Sequence, residues 1–302
     1  ATNGFNCKNV YSFKMRILIT GAFGQLGSAV SKAMMDSHDV IRTGRFIPKG
    51  EYGITLDIQN KILLQNVVDV IQPDIIINLA AMTSVDGCEL NPDLAKEINI
   101  AGVQHICESF DGKIIHFSTD YVFDGENGPY TESDLVNPIS VYGETKLSSE
   151  RILLYHNPNH LVIRGNVIYD DSPTTKASFL NWVVKSLEKN EEITVVTDQI
   201  NNPTWTESMA DITSLCIEKN LSGIVHWGDS NQLTRFDFAV KIAEKYELDK
   251  KLIKPITTEK LTQLAQRPLK SGLKSDKLID TLGVIQPSID DCLNAILKRN
   301  KI

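Results

Sequence analysis

The sequence predicts an α/β protein built on a doubly wound parallel sheet, with a smaller lobe interleaved at its C-terminal side. From Met15 onward, short β-branched runs alternate with segments of helical period. The runs are apolar on both faces, as expected of parallel strands that helices cover on both sides. After about Asp170 this rhythm changes, which indicates a second, smaller unit.

The expected elements follow one another along the chain. The strands predicted for the main sheet are 16–20, 40–43, 54–56, 75–79, 114–118 and 161–164, and the helices between them are 25–37, 61–71, 94–108 and 141–155. Beyond residue 170 we expect helices at 179–188, 207–219, 236–246 and 289–299, and strands at 193–196 and 224–227. Residues 1–14 are expected to be a tail, 15–170 a Rossmann domain and 171–302 the lobe, with about 205–228 returning to the main sheet.

Composition excludes several classes of protein. The net charge is −7, and no dense Lys/Arg block is present to neutralise a phosphate backbone, so nucleic acid is not an expected partner. No apolar run approaches the roughly 20 residues that a membrane span needs. The 5 cysteines form no CxxC pair, and the 6 histidines show no ligand spacing, so we expect reduced thiols, a cytoplasmic location and no metal.

A glycine-rich turn follows the first predicted strand. It reads Gly21-Ala22-Phe23-Gly24-Gln25-Leu26-Gly27 and leads into a helix. Glycines at such a turn let backbone N–H groups and the helix N-terminus approach a pyrophosphate, and the last one lets helix and strand pack closely. Glycines alone also suit an ordinary strand-to-helix turn. Their place on the first strand of an alternating β/α chain favours a dinucleotide site.

The end of the second predicted strand indicates which dinucleotide binds. NAD-binding proteins of this type carry an acidic residue there, whereas this chain has Arg42 and Arg45. Two guanidinium groups favour a 2′-phosphate, hence NADPH, with NADH as the alternative. If the arginines only solvate a surface loop, this preference disappears.

A possible catalytic pair lies on the helix predicted at 141–155. Tyr142 and Lys146 are four residues apart, which puts them on one helix face, and Ser140 is a plausible N-cap. A neighbouring ammonium is expected to lower the pKa of the Tyr142 phenol and suit it to acid–base work. Thr119 follows an apolar strand at the edge where doubly wound sheets bind ligands, so its hydroxyl can bind a substrate carbonyl.

Taken together, these motifs resemble the extended short-chain dehydrogenases/reductases, and most of all the dTDP-4-dehydrorhamnose reductase family. The resemblance rests on the glycine turn, Asn78-Leu79-Ala80-Ala81, Ser118-Thr119-Asp120-Tyr121-Val122-Phe123-Asp124-Gly125, Tyr142-Gly143-Glu144-Thr145-Lys146, Asp198-Gln199, Pro203-Thr204 and Arg267-Pro268-Leu269-Lys270-Ser271. It spans nearly everything from Met15 to the C-terminus.

The resemblance implies roles for individual residues. Tyr142 is the implied general acid, Lys146 the ribose anchor that tunes it, and Thr119 the carbonyl-polarising hydroxyl. Asn99 is implied to support the lysine and a proton relay. The implied cofactor contacts are Gly21, Phe23, Gly24, Gln25, Leu26, Gly27, Arg42, Arg45, Asp57, Ile58, Leu79, Ala80, Ala81, Asn99, Tyr142 and Lys146, and the implied substrate contacts are Asp120, Tyr121, Val167 and Arg267, the last at a diphosphate.

Two departures from the family pattern bear on the substrate. Val167 stands where rhamnose-forming enzymes carry a tryptophan that packs against the sugar. Lys274 stands where an acidic residue is expected. Reductase chemistry tolerates both changes, but the identity of the sugar does not follow from the family.

The expected function is NADPH-dependent reduction of the keto group of a nucleotide-linked 4-keto-6-deoxy sugar, in nucleotide-sugar and cell-surface polysaccharide biosynthesis. One alternative is a non-catalytic NADP-binding regulatory subunit, because the methionine adenosyltransferase beta subunit shares the YxxxK pattern. Another is a sugar-nucleotide epimerase with tightly bound NAD(H). The expected partner is a nucleotide sugar, and a homodimer stays open.

Overall fold

The computed structural model describes residues 14–171 and 178–300, so all of the expected tail except Lys14 lies outside the described residues. The strands are β1 Arg16–Thr20, β2 Asp39–Gly44, β3 Ile54–Thr55, β4 Ile75–Asn78, β5 Lys113–Thr119, β6 Leu161–Gly165, β7 Ile168–Tyr169, β8 Ile193–Val196, β9 Ile200–Asn201, β10 Thr204–Trp205, β11 Gly223–His226, β12 Leu233–Thr234 and β13 Ile253–Ile256. The α-helices are α1 Gln25–Met34, α2 Lys61–Ile71, α3 Val85–Leu90, α4 Pro92–Lys96, α5 Gly102–Ser109, α6 Val141–His156, α7 Phe179–Glu188, α8 Thr206–Glu218, α9 Arg235–Lys245, α10 Asp276–Leu282 and α11 Ile289–Arg299.

The main sheet confirms the predicted fold class. Seven strands lie in the order β11-β6-β5-β4-β1-β2-β3, and all six pairings are parallel. The order reverses between β1 and β4, where Thr20 lies opposite Asn78. A crevice outside the carboxyl ends of the strands at such a reversal is the usual ligand site of an open α/β sheet.

Helices cover both faces of this sheet, which explains why its strands are apolar on both sides. On one face, α1 and α8 pack together over Ile17 and Ile19, with Met209 and Ile212 contributed by α8. On the other face, Leu18 and Ile76 contact side chains of α2 and α5. Each face therefore has its own buried core.

The C-terminal lobe has a third core. It is formed by side chains from α7, α9, α11 and the β8–β13 pair, among them Leu180, Phe238 and Leu293. β11, although late in the sequence, pairs with β6 at the edge of the main sheet. The C-terminal part of the chain thus contributes an edge strand to the main sheet and is not a separate appended unit. Among the described residues, no helix combines the length and the apolar character that crossing a membrane requires.

One predicted helix is wrong in its extent and form. The single helix expected at 94–108 is divided into α4, a wider π-helical turn at Glu97–Ala101 and α5. The cause lies at Asn99, whose amide is bonded to the backbone of Met82 through both its oxygen and its nitrogen. A π-helical turn inserts a residue, and such turns occur often at functional sites.

Candidate active site

A cavity of about 1040 Å³ opens at the carboxyl ends of the central strands. Its wall contains every residue that the sequence assigned to cofactor, catalysis or substrate, except Arg42 and Asn99. We divide it into two parts. The cofactor half is the part beside the glycine turn, Asp57 and Leu79, and the substrate half is the part beside Tyr121, Val167 and Arg267.

The glycine turn is shaped by backbone contacts that only glycine allows. Gly21 has φ +66°, and a Cβ there would lie 2.7 Å from the backbone nitrogen of Ala80. A Cβ on Gly27 would lie 2.2 Å from the carbonyl oxygen of Gly21. Gly24 is the N-cap residue of α1, and no side chain caps that helix end. The first N–H groups of α1 are therefore left for an anionic ligand, which suits a pyrophosphate.

The two arginines after β2 lie in different places. Arg42 donates to Glu51 at 2.7 Å and stacks over the Phe23 ring, with 5.1 Å between its Cζ and the ring centroid. It does not line the cavity, because its charge is paired at this position. Arg45 is exposed at the cavity rim. Of the two arginines that were predicted to bind a 2′-phosphate, Arg45 alone therefore faces the cavity.

The adenine side is formed by the turn after β3. The Asp57 carboxylate accepts from the backbone nitrogen of Gln59 at 3.0 Å, and Asp57 lines the cavity with Ile58. Ile58 in turn packs against the backbone of Gly102 at the start of α5, where a Cβ would lie 2.6 Å from its Cδ1. These contacts fix the wall on which the sequence placed an adenine.

Helix α6 presents Tyr142 and Lys146 to the cavity on one face, as their spacing predicted. Ser140 caps the helix by accepting from the Gly143 nitrogen at 3.2 Å. The expected lowering of the Tyr142 pKa is wrong for this structure. Burial raises the pKa of Tyr142 well above its usual value, and a hydrogen bond to Thr119 opposes this only in part. At neutral pH the phenol therefore keeps its proton.

Lys146 is almost completely buried, with 3% of its surface exposed. Its Nζ lies 3.0 Å from Nε2 of His116 on β5. Burial lowers the pKa of Lys146 to about 8, although the nearby Glu150 carboxylate acts in the opposite direction. Burial thus destabilises the charged form of Lys146, and a bound ligand that accepts a hydrogen bond from the ammonium would stabilise it.

The tautomer of His116 follows from its partners. Asn78 Oδ1 accepts from Thr20 Oγ1 at 2.6 Å and from the Ala80 nitrogen at 3.3 Å, so Nδ2 of Asn78 faces His116 Nδ1 and donates to it at 3.0 Å. The proton of neutral His116 then resides on Nε2 and is within reach of Ser149 Oγ, also at 3.0 Å. Burial and the Lys146 charge lower the pKa of His116 well below its usual value, which keeps the ring neutral.

Asn99 does not line the cavity but contacts residues beside it. Its amide nitrogen donates to Thr145 Oγ1 at 3.0 Å, next to Lys146 in the sequence, and to the Met82 carbonyl. The described contacts include none between Asn99 and Lys146, so the implied support of the lysine stays a prediction. Asn99 instead holds the loop after β4 against α6.

Thr119 and Asp120 lie at the end of β5, between the two halves. Thr119 Oγ1 lies 3.1 Å from Asp120 Oδ1, and Ser271 Oγ donates to the other oxygen of that carboxylate. Burial raises the pKa of Asp120 to about 6, against the effect of these hydrogen bonds. Ser271 lies 151 residues after Asp120 in the sequence, so this contact joins the C-terminal part of the chain to the end of β5.

The substrate half is held by a second long-range contact. Arg267 donates to Asp86 Oδ2 at 2.8 Å and to the Tyr121 hydroxyl at 3.2 Å. Asp86 also accepts from the Ala265 nitrogen at 2.9 Å. The Tyr121 ring meets the Tyr142 ring edge-on, with 5.5 Å between centroids. Ala265 and Arg267 are thereby fixed against α3, and Tyr121 connects Arg267 to α6.

Val167 lines the substrate half with an unusual backbone. Its φ is +40°, a conformation that strains a β-branched residue. The Val167 carbonyl accepts from the Thr204 nitrogen at 3.1 Å, and the neighbouring Asn166 donates to Asn202 at 2.9 Å. These contacts hold the turn between β6 and β7 in place.

Sequence reasoning missed several residues of the cavity and its support. They are Asp86, His116, Phe179 and Arg235. Asp86 reaches a partner 181 residues away, which no local pattern reveals. Only His116 carried a local signal, because it stands in the strand that leads to Thr119.

Comparisons with known proteins agree with this geometry. A family model described as "RmlD substrate binding domain" matches residues 15–302. The dTDP-4-dehydrorhamnose reductase of Aggregatibacter actinomycetemcomitans is 34% identical over 288 residues, covering 90% of this chain and 95% of that protein. Methionine adenosyltransferase 2 subunit beta of Rattus norvegicus is 31% identical over 283 residues, covering 90% and 83%.

A solved structure gives the same result for the fold. The crystal structure of dTDP-4-dehydrorhamnose reductase from Bacillus anthracis in complex with NADP superposes with a TM-score of 0.87 at 29% identity, covering 95% of this chain and 99% of that chain. These matches confirm the resemblance to extended short-chain dehydrogenases/reductases. With its whole described length matched, its parallel sheet and its Tyr142–Lys146 helix, this chain belongs to the RmlD substrate-binding-domain family.

Proposed function

We propose that this protein is an NADPH-dependent reductase that acts on the keto group of a nucleotide-linked 4-keto-6-deoxy sugar in the cytoplasm. The observation that carries the proposal is the convergence of Thr119, Tyr142 and Lys146 on one cavity beside the glycine turn. In this proposal residues 15–170 bind the cofactor and residues 171–302 shape the substrate side. The named reductases among its relatives support the same reaction class.

The cofactor half fits a dinucleotide phosphate. Gly21 and Gly27 leave no room for side chains where the backbone must approach a pyrophosphate, and the uncapped N-terminus of α1 offers N–H donors. Arg45 at the rim is the group that would meet a 2′-phosphate. When bound, the cofactor supplies a hydride to the carbonyl carbon.

The protein's own residues handle the carbonyl oxygen. The Thr119 hydroxyl donates to the neighbouring Asp120 carboxylate at 3.1 Å. A hydroxyl has one proton to donate, so we expect it to turn from Asp120 to the substrate carbonyl, which it then polarises. Tyr142 holds its proton at neutral pH, because burial raises its pKa, and gives that proton to the oxygen as charge develops there. The Lys146 ammonium on the same helix face then stabilises the phenolate that remains.

The substrate half fits a nucleotide sugar. Arg267 faces the cavity with one guanidinium nitrogen held by Asp86 and another by Tyr121, so its orientation is fixed before an anion arrives. A pre-oriented arginine suits a diphosphate. Val167 leaves the sugar wall less bulky than a tryptophan would.

A direct assay tests the proposal. Purified protein is mixed with NADPH and a panel of dTDP-, UDP- and GDP-linked 4-keto-6-deoxy sugars, and cofactor oxidation is followed at about 340 nm, a wavelength set by the cofactor alone. We expect turnover with at least one dTDP-linked sugar, and turnover about 10²- to 10⁴-fold slower with the Tyr142→Phe variant. No oxidation across the panel, with normal NADPH binding, contradicts the proposal.

A second candidate rests on the similarity to methionine adenosyltransferase 2 subunit beta. A regulatory subunit would bind NADPH, leave every sugar unchanged and form a stable complex with the purified catalytic subunit in size-exclusion chromatography. An epimerase would interconvert sugars without net consumption of cofactor. The assay and the chromatography together separate the three functions.

A further inference from the structure

Arg235 is an arginine of the substrate half that none of the motifs explains. It is the first residue of α9, and its backbone nitrogen donates to the Gln199 carbonyl at 3.1 Å. Its guanidinium lies over the Phe179 ring, with 5.2 Å between Cζ and the ring centroid, and both side chains line the cavity. The ring therefore fixes the direction in which the guanidinium points.

The guanidinium of Arg235 has no ion pair or hydrogen bond with any residue that the structure describes. Other arginines of the molecule behave differently. Arg164, deep in the core, binds both oxygens of Glu150 at 2.9 and 2.7 Å, and Arg42 is paired with Glu51 at 2.7 Å. An arginine that is only structural is usually neutralised in this way.

The carboxylate that acts electrostatically on Arg235 already accepts hydrogen bonds from other residues. Asp120 exerts an electrostatic effect on Arg235, but its two oxygens accept from Thr119 and Ser271. Burial lowers the pKa of Arg235, and Arg267 acts in the same direction. The substrate half thus holds a cation whose five N–H donors lack a protein acceptor among the described residues.

From this we propose that Arg235 binds an oxyanion of the substrate, separately from Arg267. The inference rests on the proposed function, since it assigns a substrate contact to the same cavity. In the 4-keto-6-deoxy sugar nucleotide of the proposed function, that oxyanion is a phosphate of the diphosphate. The other source is a carboxylate at C6, which would make the substrate a uronic acid in place of the 6-deoxy sugar. A planar guanidinium already held on an aromatic face recognises either one in bidentate fashion.

Titration calorimetry with four probes tests the inference. The probes are dTDP, thymidine, UDP-glucose and UDP-glucuronic acid, each added to the NADPH-bound protein. For a phosphate contact, Arg235→Gln weakens dTDP binding at least about tenfold and leaves thymidine unchanged, as expected for the loss of a charge-assisted hydrogen bond. For a carboxylate contact, the variant abolishes a preference for UDP-glucuronic acid over UDP-glucose and leaves dTDP unchanged.

Two controls make the result specific. Lys241→Gln removes a charge from the same helix, but Lys241 is ion-paired with Asp290 at 2.8 Å on the lobe, so all four affinities should stay within about twofold. Arg235→Lys keeps the charge without the planar donor group and should fall between wild type and Arg235→Gln. NADPH affinity, measured on the same samples, reports that each variant is folded.

The outcomes separate this inference from the proposed function. If Arg235→Gln changes neither dTDP binding nor the uronate preference by more than about twofold, the inference is overturned, even when the wild-type protein turns over a keto sugar. If dTDP binding depends on Arg235 but no keto sugar is reduced, the oxyanion site stands and the reductase proposal fails. If the wild-type protein binds none of the probes, both are overturned.

Discussion

The cofactor half and the substrate half of the cavity are built in different ways. The cofactor half uses mostly backbone: Gly27 lies against Gly21 and Ala22 within the turn itself, and Gly21 lies against Ala80 after β4. The substrate half uses side chains from distant segments, joined by Asp86–Arg267 and Asp120–Ser271. Backbone geometry is readable from a local pattern, whereas a side-chain contact over 151 residues is not.

The two halves also differ in how their charges are balanced. In the cofactor half, Arg42 is paired with Glu51 and the phosphate turn uses backbone N–H groups. In the substrate half, charged groups are buried near one another, and Asp120 and Arg235 both have pKa values shifted against their charged forms by burial. Specificity for the substrate therefore depends on side chains that are costly to keep charged.

The largest expected effect is at Tyr142, which lies where the halves meet. Tyr142→Phe removes the proton donor and little binding surface, so kcat should fall by about 10²- to 10⁴-fold while NADPH affinity stays within about twofold. Stopped-flow turnover and fluorescence titration measure the two quantities. A variant with near-normal kcat would remove Tyr142 from the mechanism.

Lys146→Met should increase stability while abolishing most turnover. Because burial lowers the pKa of Lys146 to about 8, keeping it charged is costlier in the folded than in the unfolded protein. This cost is fully present below pH about 8 and disappears as the pH rises toward the unfolded value near 10.5.

We therefore expect the free energy of unfolding of Lys146→Met, without cofactor, to exceed that of wild type by about 1–3 kcal/mol at pH 7. The difference should shrink above pH 8 in urea titrations. Lys241→Met, which removes a half-buried ammonium paired with Asp290, serves as the control and should change stability little. A destabilised Lys146→Met protein at pH 7 would mean that its contact with His116 outweighs the burial cost.

The two arginines after β2 should differ in their effect on NADPH binding. Arg45→Ala should raise the KM for NADPH about tenfold, because a charge-assisted hydrogen bond contributes about 1.5–3 kcal/mol. Arg42→Ala should raise it less than about threefold, since Glu51 already holds that charge. Neither variant should change the KM for NADH. Equal effects on the two cofactors would make both arginines surface charges only.

The smallest expected effect is at Val167. Glycine relieves the strain of φ +40°, which offsets part of what the lost side chain and the freer unfolded chain cost. Val167→Gly should therefore change the free energy of unfolding by less than about 1 kcal/mol, whereas Val162→Gly in the buried β6 strand should cost about 3 kcal/mol. Thermal denaturation of both variants measures the difference. Similar losses at the two positions would mean that the turn at Val167 is unstrained.

Much of the fold could be predicted because its signals are local. The helices at 61–71, 179–188 and 289–299 begin and end where their periodicity indicated. The π-helical turn at Glu97–Ala101 could not be predicted, because its cause is a contact between Asn99 and the backbone of Met82 in another segment. The raised pKa of Tyr142 was missed for a related reason. Spacing reveals the neighbouring lysine but not the depth of burial.

The contact between Ser271 and Asp120 has a consequence for the order in which the cofactor half and the substrate half form during synthesis. During synthesis the glycine turn, β5 and α6 leave the ribosome well before Ser271, and N-terminal parts of a chain generally fold first. A nascent chain can therefore fold its dinucleotide-binding glycine turn before the residues that complete the substrate half have been translated. Proteolytic removal of the segment that carries Arg267 and Ser271 would return the protein to this state, able to hold its coenzyme but not to recognise what it reduces.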